Sequence, residues 1–148
     1  MTEKKLPSEL KTIFMVCEDI RAEGGNKFSL LGILGDRFNI PDQQDPTLPS
    51  MTFFFAFTDG VGQFNASQEV LDPNGKVILA PTDKEPSTKP ADGWMVFAFK
   101  IVPFKPIPGT YRVSVTLDDE RYERMFTVQR VHSATKAAAQ LSSASGAV

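Results

Sequence analysis

Met51-Thr52-Phe53-Phe54-Phe55-Ala56-Phe57-Thr58 is the stretch whose reading decides the fold. At period two, Met51, Phe53, Phe55 and Phe57 fall on one side, and Thr52, Phe54, Ala56 and Thr58 fall on the other. This is the alternation of a β-strand with one strongly apolar face. A helix would scatter the first set, because residues two apart lie about 200° apart around its axis. The first set is therefore the expected core face, which leaves Phe54 as the residue that needs a reason.

The same period recurs on both sides of this stretch. Towards the carboxyl end, Trp94 to Val102 carries Met95, Phe97, Phe99 and Ile101 on one face. Gly109 to Leu117 sets Tyr111, Val113, Val115 and Leu117 against Thr110, Arg112, Ser114 and Thr116. Asp118-Asp119-Glu120 forms the tip of a hairpin whose return arm turns Phe126 and Val128 inward. Between these regions, Asp72-Pro73-Asn74-Gly75 joins two further apolar runs. Its proline suits the second turn position and its glycine the left-handed residue of a type I turn with a bulge.

Towards the amino end, Thr12 to Cys17 has Ile13, Met15 and Cys17 on one face and Phe14 and Val16 on the other. Gly24-Gly25-Asn26 marks a turn. Phe28 to Leu34 is a strand whose internal Gly32 marks a bulge or a close backbone approach. Gly35-Asp36 breaks it, and Arg37 to Ile40 extends it after the kink. Ala80 to Gly93, with Pro81, Pro86 and Pro90, is expected to be a long loop without strands.

The count is about eight short strands with no amphipathic helix between them, which excludes parallel βαβ folds. The expected fold is all-β, a two-sheet antiparallel sandwich of immunoglobulin-like or Greek-key type. Its expected limits are a flexible leader over 1–11, the sandwich over 12–131, and an Ala/Ser-rich tail over 132–148. That tail is read as a short helix around 135–141 that frays from 142 onward.

Composition narrows the function. The chain has 148 residues, enough for one domain, and Phe supplies 12 of them, a dry filling for a core. Lys and Arg number 16 against 18 Asp and Glu, with no basic stripe, so neither nucleic acid nor an anionic membrane is an expected partner. The single cysteine, Cys17, makes neither an internal disulfide nor a cysteine-type zinc site. The first ten residues are polar and carry no signal-peptide core, and no window reaches the roughly 18 apolar residues of a helical span, so the cytoplasm is the expected location.

Cys17-Glu18-Asp19-Ile20-Arg21, followed by Glu23, Lys27 and Ser29-Leu30-Leu31-Gly32-Ile33, resembles the opening of a family of small uncharacterised bacterial β-sandwich proteins. The stretch from Pro108-Gly109-Thr110-Tyr111 through Phe126-Thr127-Val128 is similar to the last hairpin of many immunoglobulin-like bacterial modules. The resemblance implies the sandwich and assigns no activity and no site residues.

Three groups of residues are candidates for function. Cys17 beside Glu18, Asp19 and Arg21 is the sharpest cluster. A nucleophilic thiolate needs a positive neighbour or a histidine base, yet its nearest neighbours include carboxylates and the one histidine, His132, lies near the tail. Asp118, Asp119 and Glu120, with Asp36 and the nearby Asp42 and Asp45, are candidate weak ligand loops, provided they converge at one end of the sandwich. Phe14, Phe54 and Trp94 fall opposite the better core faces of their strands. Gathered on an outer surface, they would make an interaction patch.

No phosphate loop, serine elbow or paired-histidine metal motif occurs. The expected role is a non-catalytic protein-interaction or self-assembly module without a cofactor, binding a protein partner or a second copy through a sheet face or edge. The alternative is a loop-end binder of calcium, a sugar or a small anion, and the third reading is a cysteine-dependent enzyme.

Overall fold

β4 (Met51–Phe57) is buried at all seven positions, and the rest of the molecule is arranged to cover its two faces. The computed structural model describes residues 3–25, 27–80 and 84–132. Before β4 come β1 (Thr12–Glu23), β2 (Lys27–Leu34) and β3 (Arg37–Pro41). After it come β5 (Gly62–Leu71), β6 (Val77–Leu79), β7 (Glu85–Lys89), β8 (Met95–Ile101), β9 (Gly109–Leu117) and β10 (Glu120–Val131). One sheet has the order β2-β1-β4-β8; the other runs β3-β10-β9-β5-β6, with β7 also paired to β5. The fold is an all-β sandwich. The expected helix around 135–141 lies outside the described residues.

The interior between the sheets is mainly aromatic. Phe53, Phe55 and Phe57 point inward from β4, and Phe64, Tyr111, Tyr122 and Phe126 meet them from the other sheet. Phe57 and Tyr122 pack edge to face at 4.9 Å, and Phe53 and Phe126 at 6.0 Å, the geometry that the ring quadrupole favours.

Three expectations change. The described residues form ten strands, where about eight are expected. Residues 37–41 do not prolong β2: the Gly35-Asp36 break carries the chain to the other sheet, where β3 pairs parallel to β10. The 80–93 stretch holds β7, which pairs Gly62 to Ala66 of β5 with Lys89 to Glu85. Pro86 is tolerated there because an edge strand need not donate outward. Lys89, wholly buried, donates its ammonium to the Gly60 and Pro90 carbonyls.

The described part of the leader, 3–11, makes defined contacts with the sandwich. Lys5 exchanges two backbone hydrogen bonds with Val61, at 2.8 and 2.9 Å. Gly60 makes room for it, since a Cβ there would lie 2.7 Å from the Lys5 carbonyl oxygen. The Tyr122 hydroxyl donates to the Pro7 carbonyl at 2.7 Å, and Lys4 pairs with Asp118 at 2.6 Å. Residues 3–11 therefore strap one end of the sandwich.

Burial pushes the Tyr122 phenol up to about 12 from 10.0. Between those values the folded chain holds a proton that the unfolded chain has lost, so this tyrosine's contribution to stability falls as pH rises through that window. Tyr122→Phe is expected to cost about 1 kcal/mol below pH 10, where the hydroxyl's bond to Pro7 is lost. The gap between wild type and variant, read by denaturant unfolding, should shrink from pH 10.0 to about 12.

Candidate functional site: a groove on the outer face of the four-stranded sheet

Register decides which side chains share a face. Phe14 lies opposite Phe55 and Val16 opposite Phe53, so both inherit the core face of β4. The Phe14 ring sits 5.0 Å from that of Phe55 and stacks on Phe53 at 6.5 Å. The expected outward placement of Phe14 is thereby corrected. Ile13, Met15 and Cys17 instead join Ala56, Phe54 and Thr52 on the outer face, with Val96, Ala98 and Lys100 of β8 beside them.

An outer face this apolar needs cover, and the β1–β2 hairpin supplies it. β1 pairs with β4 only as far as Cys17 but continues to Glu23. Phe28 lies opposite Ala22, seven residues beyond Met15, the partner of Phe54. A straight hairpin would carry it about 23 Å away. The Phe28 and Phe54 rings are nevertheless 6.4 Å apart, so the hairpin curls back across the sheet.

The curl begins where Glu18 faces Gly32. Gly32 has φ of 64°, a left-handed conformation that selects glycine; the Glu18 side chain, 2.9 Å from where a Cβ would lie, is flexible enough to swing aside. Two polar ties lie near the bend: Ser50 Oγ donates to the Glu18 carbonyl at 2.6 Å, and Lys100 pairs with Asp19 at 2.9 Å. The Lys100 ammonium and the Ile20 amide hold the Asp19 carboxyl below its usual range.

The curl leaves a groove of about 920 Å³, within the size range of small-ligand and peptide side-chain sites. Ile13, Met15, Phe54 and Val96 form its floor. Lys27, Phe28 and Leu30 form one wall, and Pro90, Gly93 and Trp94 form the other. Phe54 is only 5% exposed, whereas Trp94 is 58% exposed and Phe28 48%. Phe54 and Trp94, singled out in the sequence, thus meet in one site. Phe28, Leu30, Ile13 and Met15 are not marked by their own sequence pattern. The clue to them was Gly32, a bulge signal within an apolar strand.

The acidic residues do not gather. Thr127 of β10 donates to the Asp36 carbonyl, while Asp118 and Asp119 lead into the opposite end of that strand at Glu120. About 23 Å of strand separates Glu120 from Thr127, and Asp42 and Asp45 lie farther along, beside His132 and Arg130. Asp118 is already engaged: Lys4 and the Asn65 amide hold its carboxyl below the usual range. Among the described residues, the carboxylates of the 36–45 and 118–120 regions thus do not converge.

Cys17 is fully buried, and burial pushes its thiol up. His132 extends from β10 of the other sheet and meets Asp42 at 3.4 Å. Among the described residues, His132 is therefore not placed to act as a base for the Cys17 thiol. A thiol reagent added to the folded protein is expected to label Cys17 only as fast as the chain opens, and labelling at the free-thiol rate would contradict that. The neighbouring Thr52 hydroxyl is buried without a partner. Thr52→Val should therefore be neutral or raise stability by up to about 1 kcal/mol in thermal unfolding.

The sequence profile of DUF6941, a family of unknown function, matches residues 12–128. No curated protein matches the chain. Among solved structures, a β-glucosidase from Listeria innocua is similar over 82% of this chain, at 13% identity and a TM-score of 0.36. The same enzyme in complex with isofagomine gives the same values. In both cases the chain spans only 17% of the enzyme, and no function follows from so distant a likeness. With more than three quarters of its length matched, the chain belongs to DUF6941, a family of unknown function.

Proposed function

We propose that this protein is a non-catalytic interaction module that receives an apolar segment of a protein partner in the groove beneath the β1–β2 hairpin. The observation that carries the reading is the pairing of a largely exposed Trp94 with a recessed, aromatic-rich floor around Phe54. Interface hot spots are enriched in tryptophan and cluster in apolar pockets of this kind. The sealed Cys17 and the dispersed carboxylates lend support, because they leave the groove, a concave site lined by exposed and recessed aromatic rings, as the feature that carries the reading. Composition is the support for a cytoplasmic setting without a cofactor, a nucleic acid or a membrane as partner.

Trp94 is the only tryptophan in the chain, so its fluorescence reports the groove alone. Selection from a displayed random-peptide library is expected to enrich aromatic and aliphatic sequences that shift Trp94 emission to the blue. Trp94→Ala, at an exposed site, should leave stability nearly unchanged and weaken those peptides about 30-fold, the effect of losing a hot spot of about 2 kcal/mol. Enriched peptides that bind the variant equally well, or no enrichment at all, would rule the groove out.

A further inference from the structure

A strand at the edge of a sheet presents unpaired N–H and C=O groups, and proteins blunt such edges with bends, prolines, breaks or charges. Among the described residues, three of the four edges are blunted. β2 is bent at Gly32, β3 is five residues long and ends at Pro41, and the β6–β7 edge is interrupted between Leu79 and Glu85 and carries Pro86.

β8 is the exception. Its seven residues pair with β4 in unbroken register and include neither glycine nor proline. Its one charge, Lys100, is drawn over β4 to Asp19, away from the edge. Among the described residues, the β8 backbone takes no hydrogen bond outside its ladder with β4.

We propose that β8 pairs antiparallel with β8 of a second copy of this chain, about a two-fold axis at Ala98, joining two four-stranded sheets into one of eight. The strand is self-complementary in this register, as a two-fold interface requires. Phe97 faces Phe99 of the second copy, Met95 faces Ile101, and Val96 faces Lys100, each contact occurring twice. Phe97 and Ile101, only half-buried in one copy, gain cover, and the small, exposed Ala98 sits where identical residues meet.

Charge selects the same arrangement. A register centred on Lys100 would oppose two like charges, whereas this one sets each against a valine. Exposed Asp92 precedes β8 and exposed Lys105 follows it, so antiparallel pairing brings opposite charges together and parallel pairing would align like ones. This edge is distinct from the groove of the proposed function. Through Val96 it would set two grooves on one continuous face.

A single seven-residue edge buries less than a standard interface of about 1,600 Å², so association in the micromolar range is expected. Sedimentation equilibrium of the full chain across that range should show conversion from 16.3 kDa to twice that mass. Ala98→Lys, at an exposed position, should stay monomeric with an unchanged circular dichroism spectrum. Oxidation by diamide, which accepts the two electrons and two protons released by a pair of thiols, distinguishes the register. Ala98→Cys should cross-link rapidly, because residues facing across an antiparallel pair lie about 4.5–5.5 Å apart at Cα, within disulfide reach. Val96→Cys should not cross-link, because its counterpart lies about 13 Å along the strand. Buried Cys17 is the internal control. A monomer throughout the range, a dimer that persists in Ala98→Lys, or equal cross-linking at both positions would overturn the proposal. None of these outcomes depends on whether the groove binds peptide.

Discussion

β4 must be covered on both faces, and that requirement organises the molecule. Phe53, Phe55 and Phe57 on one face and Phe54 on the other each bring apolar area whose burial stabilises by roughly 1.5–3 kcal/mol per side chain. The inner three are satisfied by an ordinary sandwich, with rings from the second sheet filling the space opposite. Phe54 is not, because a sandwich leaves the outer face of each sheet to solvent. The β1–β2 hairpin meets this second demand by bending at Gly32 and placing Phe28 over Phe54. The groove follows from this arrangement, since the curled end of the hairpin reaches over β1 and β4 but leaves the β8 side of the floor open. Part of the apolar face, towards Val96 and Trp94, remains open.

Residue patterns made some of this legible and left some of it hidden, for physical reasons. β9 could be oriented from its own sequence, because one of its faces is polar and a one-residue slip would bury Arg112. β1 could not. Both its faces are apolar, and whether Phe14 or Met15 points inward is settled only by the register with β4, a contact across forty residues of chain. β7 has no apolar alternation; it forms because β5 offers an open edge, and pairing of that kind leaves no local signal. The parallel β3–β10 pair is hidden likewise, since the Gly35-Asp36 break reads equally as a kink within one sheet or a passage to the other.

At the candidate site the division is similar. Phe54 and Trp94 stood out because each is a large ring on the wrong side of its strand, which is a local property. Phe28 and Leu30 become part of the site only after the hairpin bends, so periodicity along β2 could not assign them. The carboxylates show the reverse effect. Asp36 and Asp118 look alike as acidic loop residues, but the length of β10 holds them at opposite ends. Cys17, flanked by charge in sequence, ends up fully buried, and burial together with the Asp19 charge pushes its thiol up rather than activating it.

How the flap is held bears on what the groove can accept. Lys100 is about half exposed and Asp19 about a third, so solvent screens their ion pair and it contributes little to closing the flap. The substantive contact is the edge-on packing of Phe28 against Phe54, one ring on another, with half of the Phe28 surface still in solvent. An apolar side chain entering the groove replaces that kind of contact with another of the same kind, so seating it needs no strong interaction to be broken. The floor on β1, β4 and β8 is fixed by continuous backbone ladders, while the hairpin beyond Gly32, paired within itself, meets the floor through side-chain packing such as Phe28 on Phe54. For the proposed module, a floor that sets the spacing of its apolar contacts would select segments by where their apolar residues fall more than by the shape of those residues.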